Sequence, residues 1–325
     1  MGSMSQVPMI KKMGTPMPPR KFKLCQNMRV LQWDKVPPEW TAIVAEVLDE
    51  VLQMKMSLLG ANDIFAGTKN MQAKWKEKGI PCSKFELDDD PDENCLSPIG
   101  VKIFVRDTLR MVPNSISTMG PPCKFWIFLT LSHTKRTKDN VLGSPNSWMA
   151  VEGNKIAKFV AKGIRLVDAV SCYSLIEQPT NSLFFLHPDV KQALLDVGHH
   201  VAKFNMEKFG HESQKATQIH GTAPWIPKLH EIAKSRMRDP TKPRKKLSVV
   251  DANGAVTGKK GALKSSAAYT NDFCNVVQEC HITYMREVGN YKQGVREIKC
   301  GAPLVYCRRC FSDCIVVQMI ADFLF

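Results

Sequence analysis

The sequence lacks any long apolar run. No stretch of about eighteen uncharged apolar residues occurs, so no membrane span is expected. The N-terminus has no basic start followed by a continuous apolar segment, so no secretory leader is expected either. Aromatic residues make up only 8% of the 325 positions, so no stacking platform can be placed from composition. There is no RNP signature, zinc-finger spacing, KH-type Gly-x-x-Gly or basic zipper. Acid is in deficit, with 31 Asp and Glu against 45 Lys and Arg, a formal charge of +14. Cysteine is not scarce, but its count of eleven is odd and most members stand alone (Cys25, Cys82, Cys95, Cys123, Cys172). Without a leader, that pattern reads as reduced thiols in the cytoplasm, or the nucleus, and not as a disulfide framework.

What is present is a core-forming composition, 44% hydrophobic, with the charge gathered in two places. Residues 1–33 carry six cations and no acid, and residues 234–264 carry ten cations against Asp239 and Asp251, which together account for the whole excess. Such segregated charge points to a polyanionic partner. The periodicity predicts helices over residues 39–59, 63–78, 154–176, 189–209, 225–237 and 269–288, with a last helical stretch from Pro303. Two β-branched and aromatic runs, Val101–Val105 and Phe125–Leu131, read as the only strands. The expected fold is therefore mainly α: a helical globular body with a small β element near residues 100–131 and basic flexible arms. The expected divisions are a basic arm (1–36), a helical body (37–233), a basic linker or loop (234–266) and a C-terminal helical segment (267–325). Residues 315–325 are apolar all round a helical wheel, so they should pack into the chain's own core or into a second copy.

Candidate chemistry fails at specific residues. Cys307, Cys310 and Cys314 lie at i, i+3 and i+7 on one helical face, which suits cysteine as a small packed hydrophobe. With Cys300 they are the weak candidates for zinc, whose structural sites use two ligand pairs around a loop. Gly254-x-x-x-Gly258-Lys259-Lys260 imitates a phosphate loop, but it is one residue short and lacks the magnesium-binding hydroxyl. The acidic run at residues 86–93 lacks EF-hand spacing and reads as a solvated loop, or as a plug for a basic groove. The histidines form no metal-binding pair, and no Ser or Cys has a motif neighbour that would activate it. Neither an enzyme nor a bound cofactor is expected.

The basic residues carry the functional expectation. Lys155, Lys158, Lys162 and Arg165 recur along one stripe of a predicted helix, the geometry for tracking phosphates. Lys135 and Arg136 precede them in a basic loop, and Arg244, Lys245, Lys246, Lys259 and Lys260 lie in the second basic segment. Together these residues point to sequence-independent binding and coating of nucleic acid, RNA or another single strand, by a homo-oligomer. The whole-chain profile is similar to that of nucleoproteins of segmented negative-strand RNA viruses, a likeness of profile without a shared motif. The alternative is a structural, matrix-like or transport-type viral protein whose basic surfaces meet membranes or nucleic acid.

Overall fold

Residues 59–64, Leu-Gly-Ala-Asn-Asp-Ile, form an extended segment that is almost wholly buried. The computed structural model describes residues 31–54, 56–237, 245, 248–250, 256–258 and 268–288. In it, that segment is an inner strand, second from one edge, of a six-stranded sheet. The strands are β1 (Leu59–Ile64), β2 (Cys82–Phe85), β3 (Met111–Met119), β4 (Tyr173–Pro179), β5 (His200–Asn205) and β6 (Ala216–Gly221). They are joined or flanked by α1 (Thr41–Gln53), α2 (Asn70–Glu77), α3 (Pro98–Leu109), α4 (Leu131–Thr134), α5 (Trp148–Ala169), α6 (Pro188–Val197), α7 (Ile226–Ser235) and α8 (Asn271–Glu287). A separate two-stranded hairpin pairs β7 (Ser248–Val250) with β8 (Val256–Gly258).

The sheet order is β2-β1-β3-β4-β6-β5. The first four strands are parallel to one another, and β6 runs antiparallel between β4 and β5. From β1 the chain steps outward to β2 through α2, then crosses back to the other side of β1 through α3. The winding direction thus reverses between β1 and β3, which leaves a crevice beyond their carboxyl ends. Helices cover both faces. Met71 and Trp75 of α2, Leu229 of α7 and Phe273 and Val277 of α8 pack on one side with Ala61, Ile116, Leu175 and Ile219. Phe104 of α3, Ile156, Phe159 and Ile164 of α5 and Leu194 of α6 fill the other with Ile64, Met119 and Ile176. Phe159 anchors that second layer, stacked on Phe85 at 6.1 Å and edge-on to Phe104 at 4.9 Å. Cutting such a buried ring back to alanine costs about 3–5 kcal/mol.

The architecture corrects the expectation of a mainly helical protein: the fold is α/β, built on a six-stranded mixed sheet. The reason is physical. The parallel strands are covered on both faces, so their burial does not alternate, and β1 and β3 bury polar residues (Asn62, Asp63, Ser115, Ser117, Thr118) that no apolar pattern marks. Thus β1 was hidden between two expected helices and β4 at the end of the 154–176 helix, while β5, an antiparallel edge strand, lay inside the 189–209 helix. Left-handed residues supply the breaks: Ser171 has φ 59° before β4, and Gly198 has φ 68° before β5. The expected strand Val101–Val105 is instead part of α3, because the Ser97 Oγ accepts from the Gly100 N–H at 2.9 Å and Pro98 occupies the first turn. Those capping signals outweigh the β-branched composition. Phe125–Leu131 is likewise not a strand, but short 3₁₀ turns leading into α4. No helix among the described residues is long and apolar enough to cross a membrane. The C-terminal cysteines and residues 315–325 lie outside the described residues.

Three histidines sit in apolar surroundings. Burial pushes His187 and His281 down to about 4 and His220 down to about 3. An unfolded imidazole titrates near about 6.5, so their stabilising contribution is full above that pH and is lost as pH falls toward about 4. Asp63 works the other way. Burial raises its carboxyl to about 7, so its contribution is full at low pH and is lost as pH rises to about 7. Three groups outweigh one. The urea midpoint should therefore drop between about pH 7 and about pH 5, and His281→Gln should flatten that drop. A midpoint constant across that range would contradict the assignment.

Candidate active site

The carboxyl ends of β1, β3 and β4 bring a thiol, a carboxylate and an amine to one edge of the sheet. After β3 the chain runs Gly120-Pro121-Pro122-Cys123. Gly120 is required there: a Cβ would stand 2.7 Å from the Tyr269 hydroxyl and 3.6 Å from the Phe65 carbonyl oxygen. Tyr269, which lies just before α8, thus packs against the β3 side of the crevice between β1 and β3. Pro121 and Pro122 stiffen the turn that ends at Cys123, and Gln178 at the end of β4 holds it from below. The Gln178 amide donates to the Pro121 carbonyl at 2.5 Å and accepts from the Ser182 hydroxyl at 2.8 Å.

Next to Gln178 in sequence is Glu177, only 6% exposed. Its Oε1 is buried with no hydrogen-bond partner. The Lys215 ammonium lies 3.6 Å from that oxygen. Lys215 precedes β6, and because β6 is antiparallel its start falls at the same edge as the ends of β3 and β4. The ammonium also lies 5.6 Å from the centre of the Tyr269 ring. Cys123 is half-buried. Burial pushes its thiol up, and the Glu177 carboxylate adds to that push, while Lys215 opposes it.

On the other side of the crevice, the β1–α2 loop has left-handed backbone at Phe65, Gly67 and Lys69. The Gly67 N–H donates to the Glu86 carboxylate at 2.6 Å, just past the end of β2. Asp63 at the end of β1 accepts from the Thr118 hydroxyl at 2.9 Å and from the Gln72 N–H in the first turn of α2 at 3.2 Å. The acidic run that follows β2 binds its own chain. Asp89 pairs with Lys69 at 2.8 Å and with Lys84 at 2.9 Å, and Glu93 accepts from the Glu86 N–H at 2.5 Å. No cluster of metal-ligating side chains occurs among the described residues.

The basic residues singled out from the sequence are not gathered at this site as a set. Lys155 and Lys158 are exposed on α5, but Lys162 pairs with Glu39 at 3.3 Å and Arg165 with Asp196 at 2.7 Å. The stripe is therefore half neutralised by its own chain. Lys135 is exposed. Arg136 is 1% exposed and faces no phosphate-accessible surface. It donates to the carbonyls of Phe125 (3.0 Å), Ala150 (2.9 Å) and Val141 and to the Asn154 side chain (2.9 Å), with its guanidinium 3.7 Å from the Trp126 ring centre. Burial lowers its pKa to about 10, so it stays charged and ties the segment after Cys123 to α5. Lys245 pairs with Glu212 at 2.9 Å. Arg244, Lys246, Lys259, Lys260, Cys300, Cys307, Cys310 and Cys314 lie outside the described residues.

Sequence reasoning passed over Cys123, Glu177 and Lys215. The legible signals were Gly-Pro-Pro-Cys after one buried run and Glu-Gln-Pro within another. Neither speaks until both runs are known to be adjacent parallel strands. No protein-family model matches the chain, and no curated protein matches it.

The electrostatics give a direct check. Removing the Glu177 charge by Glu177→Gln lowers the barrier to ionising the Cys123 thiol, so iodoacetamide should alkylate the Cys123 peptide faster at a fixed neutral pH. Lys215→Met should slow it. Peptide mass spectrometry reads both, and equal rates in all three proteins would separate Cys123 from this pair.

Proposed function

We propose that the chain is an enzyme that modifies a cytosine base in nucleic acid. In this reading Cys123 is the nucleophile, Glu177 is the proton carrier, and an S-adenosylmethionine-type cofactor binds between β1 and β3. This departs from the expectation of a non-enzymatic coat, and it keeps the polyanionic partner as the substrate. The observation that carries it is the Glu177 Oε1, buried at the carboxyl edge of the sheet without a hydrogen bond, with the Lys215 ammonium 3.6 Å away and its charge bearing on the Cys123 thiol. A buried acceptor that lacks its hydrogen bond costs about 1–3 kcal/mol, and one that persists calls for a ligand or a catalytic role.

The crevice discriminates among cofactors. Doubly wound sheets bind ligands where the winding reverses, and an acid about 20 residues past the first loop suits a ribose hydroxyl. Glu86 holds that position here, 19 residues beyond Gly67. A pyrophosphate fits poorly. The loop Phe65-Ala66-Gly67-Thr68-Lys69-Asn70 has one glycine for close approach, and the Gln72 N–H at the helix start is already taken by Asp63. Glu86 instead favours a cationic ligand. S-adenosylmethionine, when bound, supplies an electrophilic methyl group on a sulfonium.

The residues account for activation of the base. The Cys123 sulfur adds to C6 of the ring, and the electrons of the C5=C6 bond move toward C5. The thiol proton is carried by Glu177 to ring nitrogen N3, which removes the negative charge that opposed ionisation of the thiol. Lys215 then stabilises Glu177 as the carboxylate. Cytosine offers an unprotonated N3 for this proton, whereas N3 of uracil already bears one. C5 becomes nucleophilic and accepts the methyl. Solvent water takes the C5 proton, the sulfur leaves as that electron pair re-forms the C5=C6 bond, and the N3 proton returns through Glu177 to the sulfur, which restores the ring and the thiol. The base has to be unstacked or single-stranded to reach a half-buried cysteine. A reducing compartment, cytoplasm or nucleus, keeps that thiol competent.

An oligonucleotide containing 5-fluorocytosine tests the reading, because fluorine cannot leave as the C5 proton does. With S-adenosylmethionine present, the protein should form a denaturant-stable adduct, and Cys123→Ala should form none. On ordinary cytosine, Glu177→Gln should slow methyl transfer by about 10²–10⁴-fold. A protein that binds nucleic acid but forms no adduct and transfers no methyl leaves the coating role as the better account.

A further inference from the structure

The start of α5 leaves Trp148 66% exposed, on a helix that is otherwise built into the core. Ser147 caps the helix through its hydroxyl and the Ala150 N–H, so the position is set by a rigid first turn and not by a loop. Leu96, Pro145, Val151 and Lys155 join Trp148 in lining one groove. Leu96 and Val151 are themselves exposed. A ring of this size forgoes on the order of 150–250 Å² of burial when left in water. Nothing in the chain's own core explains that.

We propose that this groove docks the single-stranded nucleic acid, with a base stacked on Trp148 and phosphates along Lys155 and Lys158. The proposal rests on the nucleic-acid substrate proposed above and adds the surface that holds it. Charge complementarity selects the occupant. Lys155 and Lys158 are exposed and form no ion pair with the described residues, unlike Lys162 and Arg165 further along the same helix. Lys135 and Lys138 are also exposed and without an ion pair among the described residues, on the segment packed against the first turns of α5. Glu152, which also lines the groove, and Asp139 are the acids among them, two against four cations. A stacking platform edged by cations is the arrangement that holds single strands without sequence preference.

The helix that carries the groove also supports the reactive cysteine, from its other face. Gly153 of α5 packs so closely on the turn that starts at Cys123 that a Cβ there would stand 2.8 Å from the Phe125 Cβ. Trp148 is five residues away, about 7.5 Å along the axis and about 140° around it.

Anisotropy of a labelled single-stranded oligonucleotide tests this on the full-length protein, with circular dichroism to confirm folding. Trp148→Ala should weaken binding by about 5–100-fold, the worth of one stacked base, and Trp148→Phe should retain most of it. Lys155→Gln with Lys158→Gln should reduce the log–log salt slope by about 1.4, the value for two phosphate contacts on a single strand. If the unaltered protein binds no oligonucleotide, both this inference and the nucleic-acid substrate fall. If it binds and neither the Trp148 nor the lysine variants change affinity or slope, the docking groove alone is overturned.

Discussion

The parallel pairing of β1 with β3 is the constraint on which the rest depends. The chain leaves β1 in one direction and returns to its other side, so no connection covers the crevice between the two strand ends. Gly120 lets the Phe65 carbonyl and the Tyr269 hydroxyl approach within contact of β3 at that point. Every group assigned a chemical role lies within one or two turns of this crease, on strands whose register is set by backbone hydrogen bonds. Sites built this way owe their precision to the sheet, and the sheet owes its stability to the apolar layers on its two faces.

A second device serves the same end at the start of α5. Arg136 is a buried cation with no carboxylate partner, held by three backbone carbonyls, one side-chain amide and the face of Trp126. Burying an unpaired charge is expensive, and the fold offsets it by using most of the guanidinium's donors. The result is a fixed link between the Cys123 turn, the segment after it and the first turns of α5. A thiol that is to meet a base at a defined angle benefits from a support that cannot drift. The same link joins the reactive turn to the helix that carries Trp148, Lys155 and Lys158.

The electrostatics of the site are internally opposed, as catalytic sites often are. Burial, reinforced by the Glu177 carboxylate, pushes the Cys123 thiol up, and Lys215 works against it. Glu86 brings a carboxylate to the neighbouring crevice, although the chain as a whole carries a charge of +14. A basic molecule with an acidic crevice suits two ligands of opposite sign: a polyanion on the outside and a cation within.

How much of this was legible in the sequence follows from burial. Helices α7 and α8 were read close to their observed bounds, because each buries one stripe and leaves the other in water. The strands were not, since β1, β3 and β4 are covered on both faces and lack the alternation that marks a strand in sequence. Losing the strands meant losing the site. Cys123 counted as one scattered thiol among eleven, and Glu177 as one acid among many. The sequence by itself determined the charge imbalance, the thiol-rich composition, the absence of membrane-length apolar runs, and the caps and glycines that start and stop several helices. These properties depend on residues within a few positions of one another. Only the tertiary structure decided that Gly-Pro-Pro-Cys, Glu-Gln-Pro and Lys215 share one edge. It also decided that Arg136 is a buried tie, and that Lys162 and Arg165 are already paired while Lys155 and Lys158 are not. The Arg136 contacts are 5 to 18 positions apart and the ion pairs 31 to more than 100, and no local pattern encodes which partner a strand or a charge will meet.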